Sequence, residues 1–415
     1  MLDINYIREH AAEVQENCTR RGVAIDITKL LEIDERRRAL VAKADELRAV
    51  RNRGSKTKPT DEEIVRMREV GEQLQVLESD LANVTEEYRF LLLRVPNLTH
   101  PDVPQGGEGD YRVLATVGTP PVFDFPARDH EALLLDLGLV DFERGAKVAG
   151  SKSYFSSDAL VRLNRALISY GIDVVTKHGY RLMETPDMAK DSILSGIGFN
   201  PRGPETQVYS IEQSDLSLIG TAEITMGGYH ADEILDLSAG PKKYVALSHC
   251  FRTEAGAYGR VSKGLYRVHQ FTKLEMFIYC TPEQSEQLHE ELVSIEREIC
   301  DGLKLPYQVI DTAAGDLGGP AYRKYDIEAW MVMKDGYGEV TSTSNCTDYQ
   351  SRRLNIRYRT PEGATALVHT LNGTAVNSSR FPLAIVENYQ NADGSITVPD
   401  VLRPYMGGVE VIRAA

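Results

Sequence analysis

The sequence predicts an α+β protein in which a long antiparallel helical hairpin precedes a larger mixed domain. Three observations carry this. Seam positions keep an alternating three- and four-residue spacing over two long stretches, Leu30 to Arg51 and Met67 to Leu91. A stretch rich in Pro and Gly, residues 95–121, follows without that period. Beyond it, short strand-like runs with polar alternate positions, among them 251–277, 338–345 and 368–374, are interleaved with helical patterns.

The chain has 415 residues and a formal charge of −14. That length allows two or three domains and a large core. No run approaches the ~18 apolar residues of a membrane span. The beginning, MLDINYIREH, has the features of neither a signal nor a transit peptide. The expected location is therefore cytoplasmic, with no membrane partner. Cys18, Cys250, Cys280, Cys300 and Cys346 are scattered, without a CxxC spacing. They read as buried thiols of a reducing compartment, and no structural zinc is expected. The acidic total argues against generic nucleic-acid binding, but RNA affinity depends on local cationic patches.

In the first heptad run Leu30, Ile33, Arg37, Leu40, Ala44, Leu47 and Arg51 form the seam. In the second, Met67, Val70, Leu74, Leu77, Leu81, Val84, Tyr88 and Leu91 do so. A sustained 3.5 period is the coiled-coil pattern. Gly54–Pro59 (GSKTKP) breaks it and reads as a tip, and Thr60 with Glu63 reads as a capping box. The arm spans about 27–93 within an N-terminal domain, 1–100. Its first helix and tip carry Arg36, Arg37, Arg38, Lys43, Arg48, Arg51, Arg53, Lys56 and Lys58, whereas Glu and Asp dominate the second helix. One basic edge on an acidic protein is a candidate RNA contact. A protein-binding or dimerising hairpin has charged flanks too, and the segment alone leaves both open. Residues 101–120 read as a linker to a second domain, 121–415.

Leu163 to His178 reads as an amphipathic helix, with Leu163, Ala166, Leu167, Tyr170, Val174 and Val175 on one side. It leads to a strand, Arg181–Glu184, stopped by Pro186. Residues 195–208 form a Gly/Pro loop with no assigned contact. Thr221 and Glu223 lie two apart, share a face if their segment is a strand, and can both accept from an ammonium group. In the stretch 251–277, FRTEAGAYGRVSKGLYRVHQFTKLEMF, two strand-like runs flank a loop containing Gly256, Ala257, Gly259 and Gly264. Period-two alternation puts Arg252 and Glu254 on one face of the first run. On the second run it puts Arg267, Phe271, Lys273 and Glu275 on one face and Val268, Leu274 and Met276 on the other. The polar face can hold a nucleotide and an amino acid together. Arg252 and Arg267 can grip a phosphate or carboxylate through two parallel hydrogen bonds. Phe271 offers a plate for a base, and Glu254 and Glu275 accept from hydroxyl or amino groups. A solvated hairpin with surface ion pairs is the plain alternative.

Glu339 and Ser342, in the hydroxyl-rich run 338–347, can give oxygen ligands to a hard cation such as Mg²⁺; a Ser/Thr edge strand is the plainer reading. Residues 368–374 read as a strand, and Ser378-Ser379-Arg380 as the opening of a helix, 381–390. A helix start favours anions, which suits Arg380 to a polyphosphate. Pro382 is tolerated in a first turn, though it can redirect Arg380.

FRTEAG followed by GLYRVHQF-x-K-x-E resembles the second signature motif of class II aminoacyl-tRNA synthetases, in its seryl form. The helix, strand and Pro186 of 163–186 resemble the first, dimerising motif, and the strand and helix around Arg380 the third. The block E-x-x-S-x-SNCTD-x-Q-x-RR, from Glu339 to Arg353, is similar to the seryl enzymes, as are GTAE at 220–223, VPNL-x-HP-x-V at 95–103 and the tail 402–408. The resemblance covers nearly the whole chain and is to the bacterial and organellar type.

It implies a homodimer whose catalytic domain is a mainly antiparallel sheet flanked by helices. It also implies serine–tRNA ligase activity. L-serine would be activated by ATP to seryl-adenylate and transferred to serine tRNA, with selenocysteine tRNA a further possible acceptor. The resemblance gives the residues their roles. Arg252, Arg380 and Glu339 are the catalytic set. Arg252 bridges the α-phosphate and the serine carboxylate, Glu254 faces the adenine, and Phe271 stacks on it. Arg267 and Arg380 hold the outer phosphates, and Glu339 and Ser342 ligate Mg²⁺. Thr221 and Glu223 hold the serine ammonium, while Glu275, Asn372 and Thr374 take its hydroxyl. The arm reaches tRNA, with Arg36, Arg37, Arg48, Arg51, Arg53, Lys56 and Lys58 as candidate contacts. The alternatives are a paralogue that loads a carrier protein, a duplicate with altered inhibitor sensitivity, or a non-catalytic interaction protein. The filled Arg and Glu positions argue against the last.

Overall fold

The computed structural model describes residues 1–54, 60–199, 207–255 and 263–414. The expected arm tip at 55–59, with Lys56 and Lys58, lies outside the described residues. So do residues 200–206 of the Gly/Pro loop and Gly256, Ala257 and Gly259. The chain divides into two units, Met1–Leu98 and Thr99–Ala415.

In the first unit, α1 (Ile4–Glu9) and α2 (Ala11–Arg20) precede the two long helices α3 (Ile27–Gly54) and α4 (Asp61–Arg94). Most heptad positions face the seam: Leu30 and Ala44 on α3, and Val70, Leu74, Leu77, Val84 and Tyr88 on α4, are buried, whereas Arg51, expected in the seam, is exposed where the helix nears the expected tip. At the base, Leu30, Tyr88 and Leu92 pack with Ile7, Val14 and Cys18 of the first two helices. Farther out, Ala44, Leu74 and Leu77 form a separate cluster. The capping box at Thr60 forms as its sequence predicts: the Thr60 hydroxyl accepts from the Glu63 N–H at 3.3 Å, and the Glu63 carboxylate accepts from the Thr60 N–H at 2.8 Å. Two of the basic residues on α3 are engaged within the arm. Arg37 lies 4.5 Å from the Tyr88 ring centre and 3.4 Å from buried Asp34. Arg48 pairs with Glu78 of α4 at 2.8 Å. Arg36, Arg38, Lys43 and Arg51 are exposed.

The second unit is built on an eight-stranded sheet. In chain order its strands are β1 (Arg112–Val117), β2 (Arg181–Glu184), β3 (Lys242–Phe251), β4 (Gln270–Cys280), β5 (Tyr307–Asp311), β6 (Arg323–Met331), β7 (Gly336–Asn345) and β8 (His369–Asn377). They lie in the order β1-β5-β6-β7-β8-β4-β3-β2. Every pairing is antiparallel except β2 with β3, so the sheet is mainly antiparallel, as the resemblance implies.

Alternation along β4 explains why one sheet carries both a core and a site. Leu274, Met276, Ile278 and Cys280 join the main apolar cluster. That cluster is completed by α6 (Asp158–Lys177), α8 (Ser285–Gly302) and α9 (Arg380–Asn388), which cover this face. On the other face Phe277 and Tyr279 pack beneath the short helix α7 (Ala222–Gly228), while Lys273 and Glu275 open into a cavity. Between α4 and α6, α5 (His130–Asp136) packs against α9 through Leu133 and Leu134. No helix among the described residues is long and apolar enough to cross a membrane.

Candidate active site

A cavity of about 420 Å³ lies on the open face of the sheet, over β4, β7 and β8. It gathers residues that the sequence scatters over more than 150 positions. Arg252, Arg267 and Arg380 give its wall three cations, and Phe271 and Glu254 line it too. Thr221, Glu223 and Glu275 also line it, with Asn372 and Thr374 from β8. Glu339 and Ser342 line the wall formed by β7.

Several of these side chains reach the cavity by a route other than the expected one. Thr221 and Glu223 do not share a strand face. Thr221 caps α7, its hydroxyl accepting from the Glu223 N–H at 3.2 Å, and Glu223 lies in the first turn. A hydroxyl N-cap with an acidic residue in the first turn is a helix start, so the Thr-x-Glu pattern marked a helix. Arg252 and Glu254 lie past the end of β3, and Arg267 lies before β4 begins. The chain here is held by the Arg252 N–H donating to the His269 carbonyl at 2.9 Å. His269 Nδ1 returns a bond to the Arg252 carbonyl at 2.9 Å. Glu254 takes a left-handed backbone, φ 52°, and accepts from Arg267 at 3.3 Å.

The hydroxyl-rich β7 divides its side chains by face. Ser342 and Ser344 line the cavity. Thr341 and Thr343 are buried on the opposite face, where Thr341 donates to Glu296 of α8 at 2.9 Å and Thr343 to the Asn372 carbonyl at 3.0 Å. Arg380 opens α9. The Asn377 side chain accepts its N–H at 2.8 Å, and its guanidinium lies 3.1 Å from the Glu339 carboxylate and 4.8 Å from the Tyr266 ring centre. Pro382 sits buried in that first turn, where its missing N–H leaves nothing unpaired, and Arg380 still lines the cavity.

Charge differentiates the carboxylates. Burial pushes Glu339 up, but Arg380, Lys324 and Arg252 outweigh it and hold the carboxyl down to about 2. Burial, then the neighbouring Glu275, raise Glu223 to about 7. Burial also raises Glu275, against the pull of Lys273. Asp326 goes up to about 6 by burial, opposed by Lys324. Separated carboxyl affinities of this kind mark sites more often than surfaces.

Two lysines carry structure that no role above assigns. Lys273 is buried and bridges Glu275 at 2.6 Å and the Thr221 hydroxyl at 3.1 Å. Its place on the polar face of β4 was legible, but its partners were not. Lys324, on β6, lies 3.3 Å from both Asp326 of the same strand and Asp316, which precedes it. Gln350 donates to Glu223 at 2.8 Å and fixes that carboxylate from behind. For a hard cation the donor set fits: Glu339 is ionised, Ser342 lies cross-strand from Asp326, and Asp326 Oδ1 is buried with no hydrogen-bond partner among the described residues.

A family model described as the seryl-tRNA synthetase N-terminal domain matches residues 1–99, and one described as the tRNA synthetase class II core domain (G, H, P, S and T) matches residues 207–389. A serine–tRNA ligase of Treponema denticola is 50% identical over 417 residues, covering 98% of this chain and 99% of its own. That of Rubrobacter xylanophilus is 50% identical over 423 residues, covering 100% of both. Among solved structures, seryl-tRNA synthetase from Pyrococcus horikoshii complexed with ATP aligns over 100% of both chains, with a TM-score of 0.89 and 36% identity. The chain belongs to the serine–tRNA ligase family of class II aminoacyl-tRNA synthetases.

Proposed function

We propose that the chain activates L-serine with ATP and transfers the seryl group to serine tRNA. The observation that carries this is a single cavity wall that gathers three arginines with two buried carboxyls, Glu223 and Glu275, whose proton affinity burial raises. The serine carboxylate attacks the α-phosphorus of ATP. A new P–O bond forms, the bond to the β-phosphate breaks, and pyrophosphate leaves. The nucleophile is already ionised, so the protein supplies positioning and charge stabilisation rather than a base. Arg252 spans the two reacting groups, and Arg267 and Arg380 hold the outer phosphates. Phe271 stacks on the adenine, beside Glu254. Glu339 and Ser342 would hold Mg²⁺, which neutralises phosphate charge when bound and completes its shell from phosphates and water. In the second step the terminal ribose hydroxyl of the tRNA attacks the seryl carbonyl, and AMP leaves.

Glu223 and Thr221 accept from the serine ammonium, and Glu275, Thr374 and Asn372 surround its hydroxyl. The Thr374 hydroxyl already donates to Glu275 at 3.3 Å. Only ionised Glu223 pairs well with an ammonium. Because its carboxyl titrates at about 7, serine KM should fall about tenfold per unit as pH rises towards 7, and level off above it. Glu275→Ala should raise serine KM by about 10²-fold, as expected for a polar group left unpaired in a specific site, while ATP binding stays within about twofold. Unchanged serine-dependent pyrophosphate exchange in that variant would remove Glu275 from the site, and with it the serine reading.

We also place the N-terminal unit, expected as 1–100 and observed as residues 1–98, as the tRNA-binding domain and the second unit, residues 99–415, as the catalytic domain. The expected linker at 101–120 is no mere connection, because it contains β1 of the central sheet. On the arm, exposed Arg36 and Arg51 are the best placed for phosphates. Arg37 and Arg48 first serve the hairpin, and nothing is described of the Arg53 side chain. Among the described residues the outer strand β2 pairs along one edge only, and Leu182 on it is exposed, which supports a homodimer formed along α6 and β2. Sedimentation equilibrium at twice the chain mass is the expected result, and a monomer at micromolar concentration would contradict it. All five cysteines are free thiols, which suits a reducing compartment, and we place the reaction in the cytoplasm.

A further inference from the structure

Next to Tyr266 and Arg267 of the cavity wall lies a fully buried imidazole–carboxylate pair that none of these roles uses, His130 and Glu387. His130 opens α5, and Glu387 sits on α9 two turns beyond Arg380. His130 Nδ1 lies 2.8 Å from Glu387 Oε1, and the His130 N–H donates to the same oxygen at 3.0 Å. Glu387 Oε2 accepts from the Met333 N–H at 3.0 Å. The other ring nitrogen, Nε2, accepts the Leu265 N–H at 3.0 Å. A backbone N–H only donates, so Nε2 carries no proton, and Nδ1–H is the donor to Glu387.

The imidazole is therefore a directed bridge from the helix that carries Arg380 to the backbone at Leu265. Gly264 leaves room for it: its φ is +56°, and a β-carbon there would run into Nε2. The residues that follow are both cavity residues. Tyr266 lies beneath the Arg380 guanidinium, and Arg267 pairs with Glu254. On the near side Lys263 pairs with Asp129 at 2.5 Å, and Asp129 also caps α5 by accepting from the Ala132 N–H at 2.9 Å. Three elements that are remote in sequence thus converge on one histidine.

We propose that His130 is a positioning residue for ATP. By holding the Leu265 N–H against Glu387, it sets Tyr266 and Arg267 in one frame with Arg380. Both arginines assigned to the outer phosphates then meet the nucleotide together. This rests on the reading of Arg267 and Arg380 as the contacts to the outer phosphates of ATP.

The test uses the full chain, with ATP binding measured at equilibrium and KM for ATP and serine measured by pyrophosphate exchange. His130→Asn keeps a donor near Nδ1 and removes the acceptor at Nε2. His130→Gln places an amide oxygen near Nε2. For His130→Asn the expected result is an ATP Kd and KM about tenfold higher or more, from one backbone N–H stripped of its acceptor, with serine KM within about twofold. His130→Gln should recover most of the ATP affinity. A folded His130→Asn chain that binds ATP like the unaltered one overturns the proposal. So does equal damage to both substrates in both variants, which is what a purely structural pair predicts. If His130→Asn does not fold, Gly264→Ala disturbs the same contact from the other side, and unchanged ATP affinity there overturns it equally. An unaltered chain that binds ATP but activates no serine counts against the proposed function and leaves this role standing. An unaltered chain that binds no ATP ends both.

Discussion

Arg252→Ala is expected to lower serine-dependent ATP–pyrophosphate exchange by about 10³-fold, the scale of losing one preorganised stabiliser of developing charge. Arg252 is set in place from two sides. Its Nε donates to the Gly220 carbonyl at 3.2 Å, and its guanidinium lies 5.2 Å from the Phe271 ring centre. The first contact fixes the fork beside Thr221 and the second fixes it beside the proposed adenine plate. Under the proposed function, that is where the serine carboxylate and the α-phosphate meet. Arg252→Lys keeps the charge but loses the planar pair of donors and should cost about 10²-fold by the same measure. The Arg252 side chain lines an open cavity, so neither change should lower the melting temperature appreciably. Exchange within about tenfold of the unaltered chain for Arg252→Ala would exclude this residue from the reacting centre.

The second large effect separates the two units. Replacing residues 42–79 by a four-glycine link removes the outer cluster of Ala44, Leu74 and Leu77 together with exposed Arg51. It leaves the base cluster of Leu30, Tyr88 and Leu92 intact, so the shortened unit keeps its own core. Four residues reach across the 8–10 Å that separates packed helices. Exchange should stay within about twofold, while serylation of serine tRNA should fall by about 10³-fold at moderate salt, the scale of losing several phosphate contacts. Equal loss of both activities would mean that the arm supports the catalytic unit instead of reaching RNA.

The elements defined by periodicity were legible in the sequence. The seam of the arm, apart from Arg51, and the core face of β4 at Leu274 and Met276 follow from spacing; the Thr60 cap follows from its motif, and the strand Arg181–Glu184 from the Gly179 and Pro186 that bound it. The ends of elements were not. Arg252, Glu254 and Arg267 read as ladder residues because alternation continues through them, yet the ladder stops at Phe251 and resumes at Gln270. Thr221 and Glu223 fit both a strand face and a helix cap, and only the packing of α7 over Phe277 and Tyr279 decides between them. Partnerships between remote residues were invisible. Lys273 with Thr221, Lys324 with Asp316, and His130 with Glu387 and Leu265 depend on strand order and on which helix covers which face. Arg37 and Arg48 show the same limit: their charge suggested a free basic edge, and Tyr88, Asp34 and Glu78 engage them first.

ATP–pyrophosphate exchange with serine, alanine, threonine, cysteine and glycine in parallel tests the central claim most directly. Alanine and glycine would leave the buried groups around the serine hydroxyl unpaired, at about 1–3 kcal/mol for each. Threonine adds a methyl group that only the size of the pocket can reject, so it is the closest competitor. Serine alone should drive exchange at full rate, with threonine weakly active and alanine nearly silent. Exchange driven equally by alanine, or by none of the five, would contradict the account.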